Sequence, residues 1–147
     1  MDFIKRSKEE DTLFELINNL IKNNYILVDV EYNNADEYVT VFVESLKENS
    51  IDNISSVNGI IYEHLEKVDF LKNNFSLEIS SPGLFRKIRH KYELDIFKNR
   101  NIKITLIDKS VLTGINNGIN GDDIAISVDG EIKNINLNSI KSVHLNG

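Results

Sequence analysis

The 147-residue sequence contains no cysteine, no tryptophan and a single proline. Without cysteine the chain cannot form disulfides, thiolate metal sites or a cysteine nucleophile, so its stability must come from packing. It also lacks any apolar run near the roughly 20 residues of a membrane span, and residues 1–10 lack the apolar stretch of a signal peptide. We therefore expect a cytoplasmic protein with no membrane partner.

The residues that are present have the composition of a globular protein. Hydrophobic residues make up 41% of the chain and charged residues 27%, which excludes low-complexity and mostly disordered classes. At roughly 100–200 residues per domain, the length allows one ordinary domain or two very small ones.

The net charge of −6 conceals an uneven distribution along the chain. Residues 1–79 carry 7 basic and 16 acidic residues, a net charge of −9, whereas residues 80–147 carry 10 and 7, a net charge of +3. Within residues 80–109 the counts are 8 basic and 3 acidic. This asymmetry indicates two surfaces with different partners, the acidic one suited to a basic protein and the basic one to phosphates.

Hydrophobic periodicity in the first half predicts the order helix, strand, strand, helix, strand. A helical stripe follows Ser7 and a period-two pattern begins at Tyr25, where we expect Ile26, Val28, Val30 and Tyr32 to face the core. A second helix contains Gly59, which hints at a close packing contact. Two apolar helix stripes then cover one face of a three-stranded sheet.

The second half has short alternating strands separated by glycine- and asparagine-rich turns. About five strands in some fifty residues need near closure to protect their edges. We therefore predict an α+β protein: an N-terminal α-β-β-α-β domain over residues 1–84, with two helices on one face of a three-stranded sheet, and a small SH3-like or Sm-like β-barrel over residues 85–147. The hinge is expected at about residues 80–95.

The uncovered face of the first sheet is predicted to be acidic. Alternation places four carboxylates there, which we take as candidate protein-binding residues: Asp29, Glu31, Glu44 and Glu78. A docking face for a cationic protein and a simply solvated sheet face both remain open. A metal site is disfavoured because the spacing of these acids encodes no coordination loop.

The sequence offers little for catalysis. The three histidines are widely spaced and lack the partner of a helical zinc motif. Ser80-Ser81-Pro82-Gly83 lacks the frame of a nucleophile elbow, and Pro82 has no N–H to offer an oxyanion. We therefore expect no enzyme, no catalytic residue, no metal and no cofactor.

A basic segment follows the turn at Pro82-Gly83. Cationic side chains here alternate with apolar ones and could contact an RNA backbone, with serine hydroxyls and a glycine amide nearby. The candidate RNA-binding residues are Ser80, Ser81, Pro82, Gly83, Arg86, Lys87, Arg89 and Lys91. The alternative is a solvated interdomain linker whose apolar residues hold the two domains together.

The motif Leu77-Glu78-Ile79-Ser80-Ser81-Pro82-Gly83-Leu84 strongly resembles that of the bacterial ribosome maturation factor RimP family. The stretch Tyr25–Tyr32 is similar to the family's first strand, and the resemblance covers nearly the whole chain. The chain departs from the family after the motif, where Phe85 and Lys87 replace an acid and a second proline.

The resemblance implies a non-catalytic assembly factor that binds the immature small (30S) ribosomal subunit. Its expected partners are 16S rRNA and a basic small-subunit ribosomal protein at the decoding centre, and we expect it to act as a monomer. Arg86 is kept from the family pattern, and we expect its planar fork to engage phosphate. The alternatives are a general RNA-binding module and a phosphate-ester enzyme acting at Ser80-Ser81.

Overall fold

The chain divides into two compact units in the computed structural model. The structure describes residues 1–46 and 51–147, and for residues 51–55 it describes the backbone only. One unit comprises Arg6–Pro82, and the other comprises Gly83–Gly147 together with Met1–Lys5. The predicted domains placed residues 1–5 with the first unit. Instead, the Ile4 N–H donates to the Arg89 carbonyl at 2.9 Å, which attaches the start of the chain to the second unit.

The first unit has the predicted order of elements. They are α1 (Lys8–Ile21), β1 (Tyr25–Asn33), β2 (Tyr38–Ser45), α2 (Ile51–Leu65) and β3 (Ser76–Ser80). The sheet order is β1-β2-β3, with β1 antiparallel to β2 and β2 parallel to β3. Because parallel neighbours need a crossover connection, α2 fills the link between β2 and β3.

Helix α1 begins with a capping box. The Glu10 N–H donates to the Ser7 hydroxyl and the Ser7 N–H donates to the Glu10 carboxylate, which satisfies two N–H groups that the helix itself cannot. The second Glu10 oxygen accepts from the Tyr32 N–H at 3.0 Å. One side chain therefore both begins the helix and ties it to β1.

Strand β1 contains a β-bulge that the alternation pattern did not predict. The register shifts between Leu27 and Asp29, so the strand changes face at Val28. Leu27 consequently packs in the core with the helices, whereas we expected it on the opposite face. Ile26 pairs with Glu44 on that opposite face, although we expected it to point inward.

Both helices pack against one face of the sheet, as predicted. The core cluster joins Leu13 and Ile17 of α1 to Ile61 and Leu65 of α2, and all four are fully buried. Valines from β1 and β2 complete it: Val30, Val39, Val41 and Val43. Burying such side chains is worth about 1.5–3 kcal/mol each relative to exposure, so this cluster defines the unit.

The second unit is the predicted small all-β domain. After a short helix α3 (Glu93–Ile96), its strands are β4 (Asn101–Leu106), β5 (Val111–Asn120), β6 (Asp123–Val128), β7 (Glu131–Asn136) and β8 (Ile140–Leu145). They form one antiparallel sheet in the order β7-β6-β5-β4-β8. Its hydrogen-bonded ladder runs from β7 to β8, so these two strands are its ends.

Residues 84–88 cover the outer edge of β8. The Gly147 N–H donates to the Leu84 carbonyl, the Leu145 N–H to the Arg86 carbonyl and the Ile88 N–H to the Val143 carbonyl, at 2.8–3.0 Å. Part of the expected hinge is thus an extended segment paired with the sheet. This pairing removes an open strand edge, which would otherwise be a site for aggregation.

None of the helices in the described ranges is both long enough and apolar enough to span a membrane.

Two glycines in these units should respond oppositely to substitution. A Cβ at Gly114 of β5 would clash with the backbone carbonyl oxygen of Ser127, whereas a Cβ at Gly59 of α2 would meet nothing within 4 Å. The close contact expected at Gly59 is therefore wrong.

We predict that Gly114→Ala lowers the free energy of unfolding by about 1–3 kcal/mol, because neighbouring backbone must move. Gly59→Ala, the matched control, should raise it by about 0.4–1 kcal/mol through helix propensity and reduced chain entropy. Urea denaturation of both variants checks this. Equal stability of the Gly114 variant and the unchanged protein would contradict the clash.

Candidate functional site

The basic segment is organised around the carboxylate of Glu93, the first residue of α3. One oxygen accepts from the Arg86 guanidinium at 2.6 Å. The other accepts from the backbone N–H groups of His90, at 2.8 Å, and Arg89, at 3.1 Å. Glu93 is fully buried and the Arg86 side chain is 5% exposed. The segment therefore folds back on itself around a buried ion pair.

This arrangement gives Arg86 a different role from the expected one. Its guanidinium is held by Glu93 inside the unit, so a phosphate could engage it only after the pair had broken. Breaking a buried pair costs several kcal/mol because one charge is left without compensation. Arg86 is thus a positioning residue that shapes the segment.

The neighbouring cations are placed differently. Pairing with β8 makes the side chains alternate, so that Arg86 and Ile88 are buried while Lys87 is exposed. Lys91 is also exposed and Arg89 is half-buried. The exposed amines of Lys87 and Lys91 are carried by a backbone that is fixed through hydrogen bonds on both sides.

The residues before this segment form the end of β3 and the turn after it. The Ser80 hydroxyl donates to the Ser81 carbonyl at 2.9 Å. Ser81 and Gly83 are exposed and Pro82 is half-buried. Gly83 has a φ of +83°, a left-handed conformation that favours glycine.

A buried asparagine that the sequence reading missed supports the helix carrying Glu93. The Asn116 amide donates to the carbonyls of Leu94 and Phe97, at 2.7 and 3.0 Å, and its oxygen accepts from the Gly118 N–H. In the sequence, Asn116-Asn117-Gly118 resembles an ordinary turn. The available signal was an asparagine at an inward position of a strand, where a polar side chain needs partners.

Three of the four predicted acidic residues share the sheet face opposite the helices, and each of them keeps some exposure to solvent. Thr40 of β2 pairs with Glu31 on one side and Glu78 on the other, and Glu44 pairs with Ile26. Glu31 and Glu44 are half-buried and Glu78 is exposed. The Tyr38 hydroxyl donates to Glu78 at 2.8 Å, and this bond raises the pKa of Tyr38.

The fourth, Asp29, is fully buried. Its carboxylate lies 3.9 Å from the Arg6 guanidinium, which also contacts Asp11 at 3.1 Å and lies over the Phe14 ring. Arg6 therefore joins β1 to the start of α1. The expectation of an exposed Asp29 on an uncovered face does not match this burial, and we treat it as an internal partner of Arg6.

Residues 16–85 match the family model of the RimP N-terminal domain. The match contains β1, β2, α2 and β3, the part of the chain that carries the acidic face. A solved structure of the pleiotropic translational regulator Hfq is also similar to this chain, with 13% identity over 35% of this chain and 88% of that chain and a TM-score of 0.33. At that score the likeness supports no argument about this protein.

We predict that Glu93→Gln lowers the free energy of unfolding by about 3 kcal/mol, because Arg86 would remain buried without its counter-charge. The control is Glu131→Gln, an exposed position in the same unit, which should change stability by no more than about 0.5 kcal/mol. Urea denaturation measures both. Similar values for the two variants would show that the buried pair does not organise the segment.

Proposed function

Since this chain belongs to the RimP family, we propose that it is a non-catalytic assembly factor that binds the immature 30S ribosomal subunit in the cytoplasm and promotes its maturation. The observation that carries this proposal is the RimP N-terminal domain at residues 16–85. The family is one of ribosome maturation factors.

The distribution of charge supports a partner that contains both RNA and basic protein. The second unit exposes Lys87 and Lys91 on a segment fixed by hydrogen bonds, and such amines attract phosphates through counterion release. We propose that these two residues contact 16S rRNA and that half-buried Arg89 contributes to the same surface. Ser81 and Gly83 are exposed within the same stretch.

The acidic face of the first unit supports the proposal that the partner also contains a basic protein. Glu31, Glu44 and Glu78 line one sheet face across three strands. We propose that this face receives the basic ribosomal protein of the decoding centre. Complementary charge would mainly raise the rate of encounter and select the partner.

Two alternative functions predict different results in binding and turnover experiments. A general RNA-binding module would bind arbitrary structured RNA as tightly as 30S particles. A phosphate-ester enzyme acting at Ser80-Ser81 would turn over substrate with divalent metals, and its nucleophile would first have to release the Ser80–Ser81 hydrogen bond. We expect preferential binding to 30S particles and no turnover.

We predict that the protein co-sediments with free 30S particles and not with 70S ribosomes, because its partner is a precursor. A deletion strain should accumulate precursor rRNA and excess free large subunits, most clearly at a stressful temperature. Sucrose-gradient profiles of the extract check both results. The proposed function would be refuted by two results together: an unchanged subunit profile in the deletion strain, and confinement of the protein to the unbound fractions in an extract of cells that contain it.

We predict that the double change Glu44→Lys with Glu78→Lys weakens binding to the basic ribosomal protein at least tenfold, because two of the three negative charges on the acidic face become positive. The matched control is Glu15→Lys with Glu63→Lys, which reverses two exposed helix charges in the same unit. Calorimetric titration with folding checked by circular dichroism separates them. Equal affinities for the two variants would reduce the acidic face to a solubilising surface.

A further inference from the structure

Two lysines and a histidine lie side by side on one face of the sheet in the second unit. His144 of β8 pairs directly with Lys103 of β4 on one side and with Lys87 of the edge segment on the other. Residues directly opposite each other in an antiparallel pair share a face. We call these three residues the Lys–His–Lys row.

The row has dimensions suited to more than one phosphate. Neighbouring strands lie about 4.8 Å apart, so the backbones of Lys87 and Lys103 are about 10 Å apart with His144 between them. Both lysines are exposed and His144 is half-buried. Two flexible amines can therefore hold separate oxyanions of one chain while the imidazole lies between them.

Hydroxyl groups surround the row on the same face. Thr113 of β5 pairs with Lys103. Thr105 and Ser142 pair with each other, and each lies two residues along its strand from Lys103 or His144. Side chains two apart on a strand point the same way, so these hydroxyls lie beside the cations. Threonine and serine hydroxyls commonly donate to phosphate and sugar oxygens.

The electrostatics of the row favour a bound anion. Burial lowers the pKa of His144, and the charges of Lys87 and Lys103 lower it further. Like charges placed directly opposite each other on neighbouring strands are destabilising. An anion seated over His144 would relieve this repulsion and favour the imidazolium form.

A concavity beside the row is lined by one acidic residue. Lys87 lines this open concavity of about 500 Å³ together with Asp2 and Lys141. Among the side chains that line this concavity, the lysines therefore outnumber the acid.

We propose that the Lys–His–Lys row is a contact site for the sugar–phosphate backbone of RNA. This inference rests on the proposed function, because it identifies where the factor would contact the RNA of the subunit. It adds His144 and Lys103 to the RNA-binding residues, neither of which belongs to the basic segment that follows the Pro82-Gly83 turn.

The site also predicts a dependence on pH. With a phosphate over it His144 binds a proton more readily, so RNA binding is coupled to uptake of up to one proton. Affinity should therefore increase as the pH falls from about 7.5 towards and below the ordinary histidine pKa of about 6.5. The charged groups acting on His144 across the neighbouring strands are Lys87 and Lys103.

The test compares two double variants of the full chain. Lys87→Ala with Lys103→Ala removes the lysines of the row. Lys98→Ala with Lys133→Ala, the control, removes the same amount of charge from two exposed positions. Lys133 is on the face of the sheet opposite the row, because it pairs with Ile126, whose side chain is buried on that opposite face. The probe is a fluorescent RNA hairpin titrated at several salt concentrations.

We expect the row variant to lower the slope of log affinity against log salt by about 1.4–1.8 and to lose about thirtyfold in affinity at 0.1 M salt. The control variant should bind nearly as well as the unchanged protein. His144→Gln should remove the increase in affinity at low pH. In proton NMR, the row variant should show a raised pKa for His144.

Two results would overturn the inference. One is an equal loss of slope in both double variants, which would indicate net charge alone. The other is pH-independent binding by the unchanged protein. Failure of the proposed function is a separate result: the protein would not co-sediment with 30S particles, while the row variant would still lose affinity for the hairpin.

Discussion

The buried carboxylate of Glu93 holds the second unit's basic segment in its observed shape. It receives a guanidinium and two backbone N–H groups from residues that lie three to seven positions earlier in the chain. If that carboxylate were missing, the guanidinium of Arg86 would be buried without compensation and the turn at His90 would lose its anchor. The turn connects the residues 84–88 that pair with β8 to the helix α3 that Asn116 supports.

Because Glu93 binds Arg86, the basic segment contains one buried cation and, beside it, an exposed one. Arg86 is used inside the unit, whereas its neighbour Lys87 is held outward by the alternation of an extended segment. Exposed amines on a fixed backbone can meet phosphates at defined positions, because the chain need not be ordered when it binds. The first unit shows a comparable division of acids, with Asp29 buried against Arg6 and Glu78 exposed.

Much of the architecture could be predicted because hydrophobic periodicity reports which face of an element is buried. The five elements of the first unit and the strands of the second followed from that pattern, and the motif Leu77–Leu84 identified the family. The bulge in β1 was not predictable in this way. Tyr25–Val28 is apolar at every position, so the pattern carries no sign of where the strand changes face.

The linear order of residues was enough to determine the types of element, the division of charge between the two halves and the family. Folding decided which charged residues are available to a partner. Arg86 and Lys87 are adjacent cations in the sequence, yet their surroundings depend on Glu93 and on β8, whose residues lie far along the chain. The row of Lys87, His144 and Lys103 exists only because strand pairing brings three distant segments together. Cross-strand register and the burial of individual charged residues are properties of the packed chain, and the local sequence does not encode them.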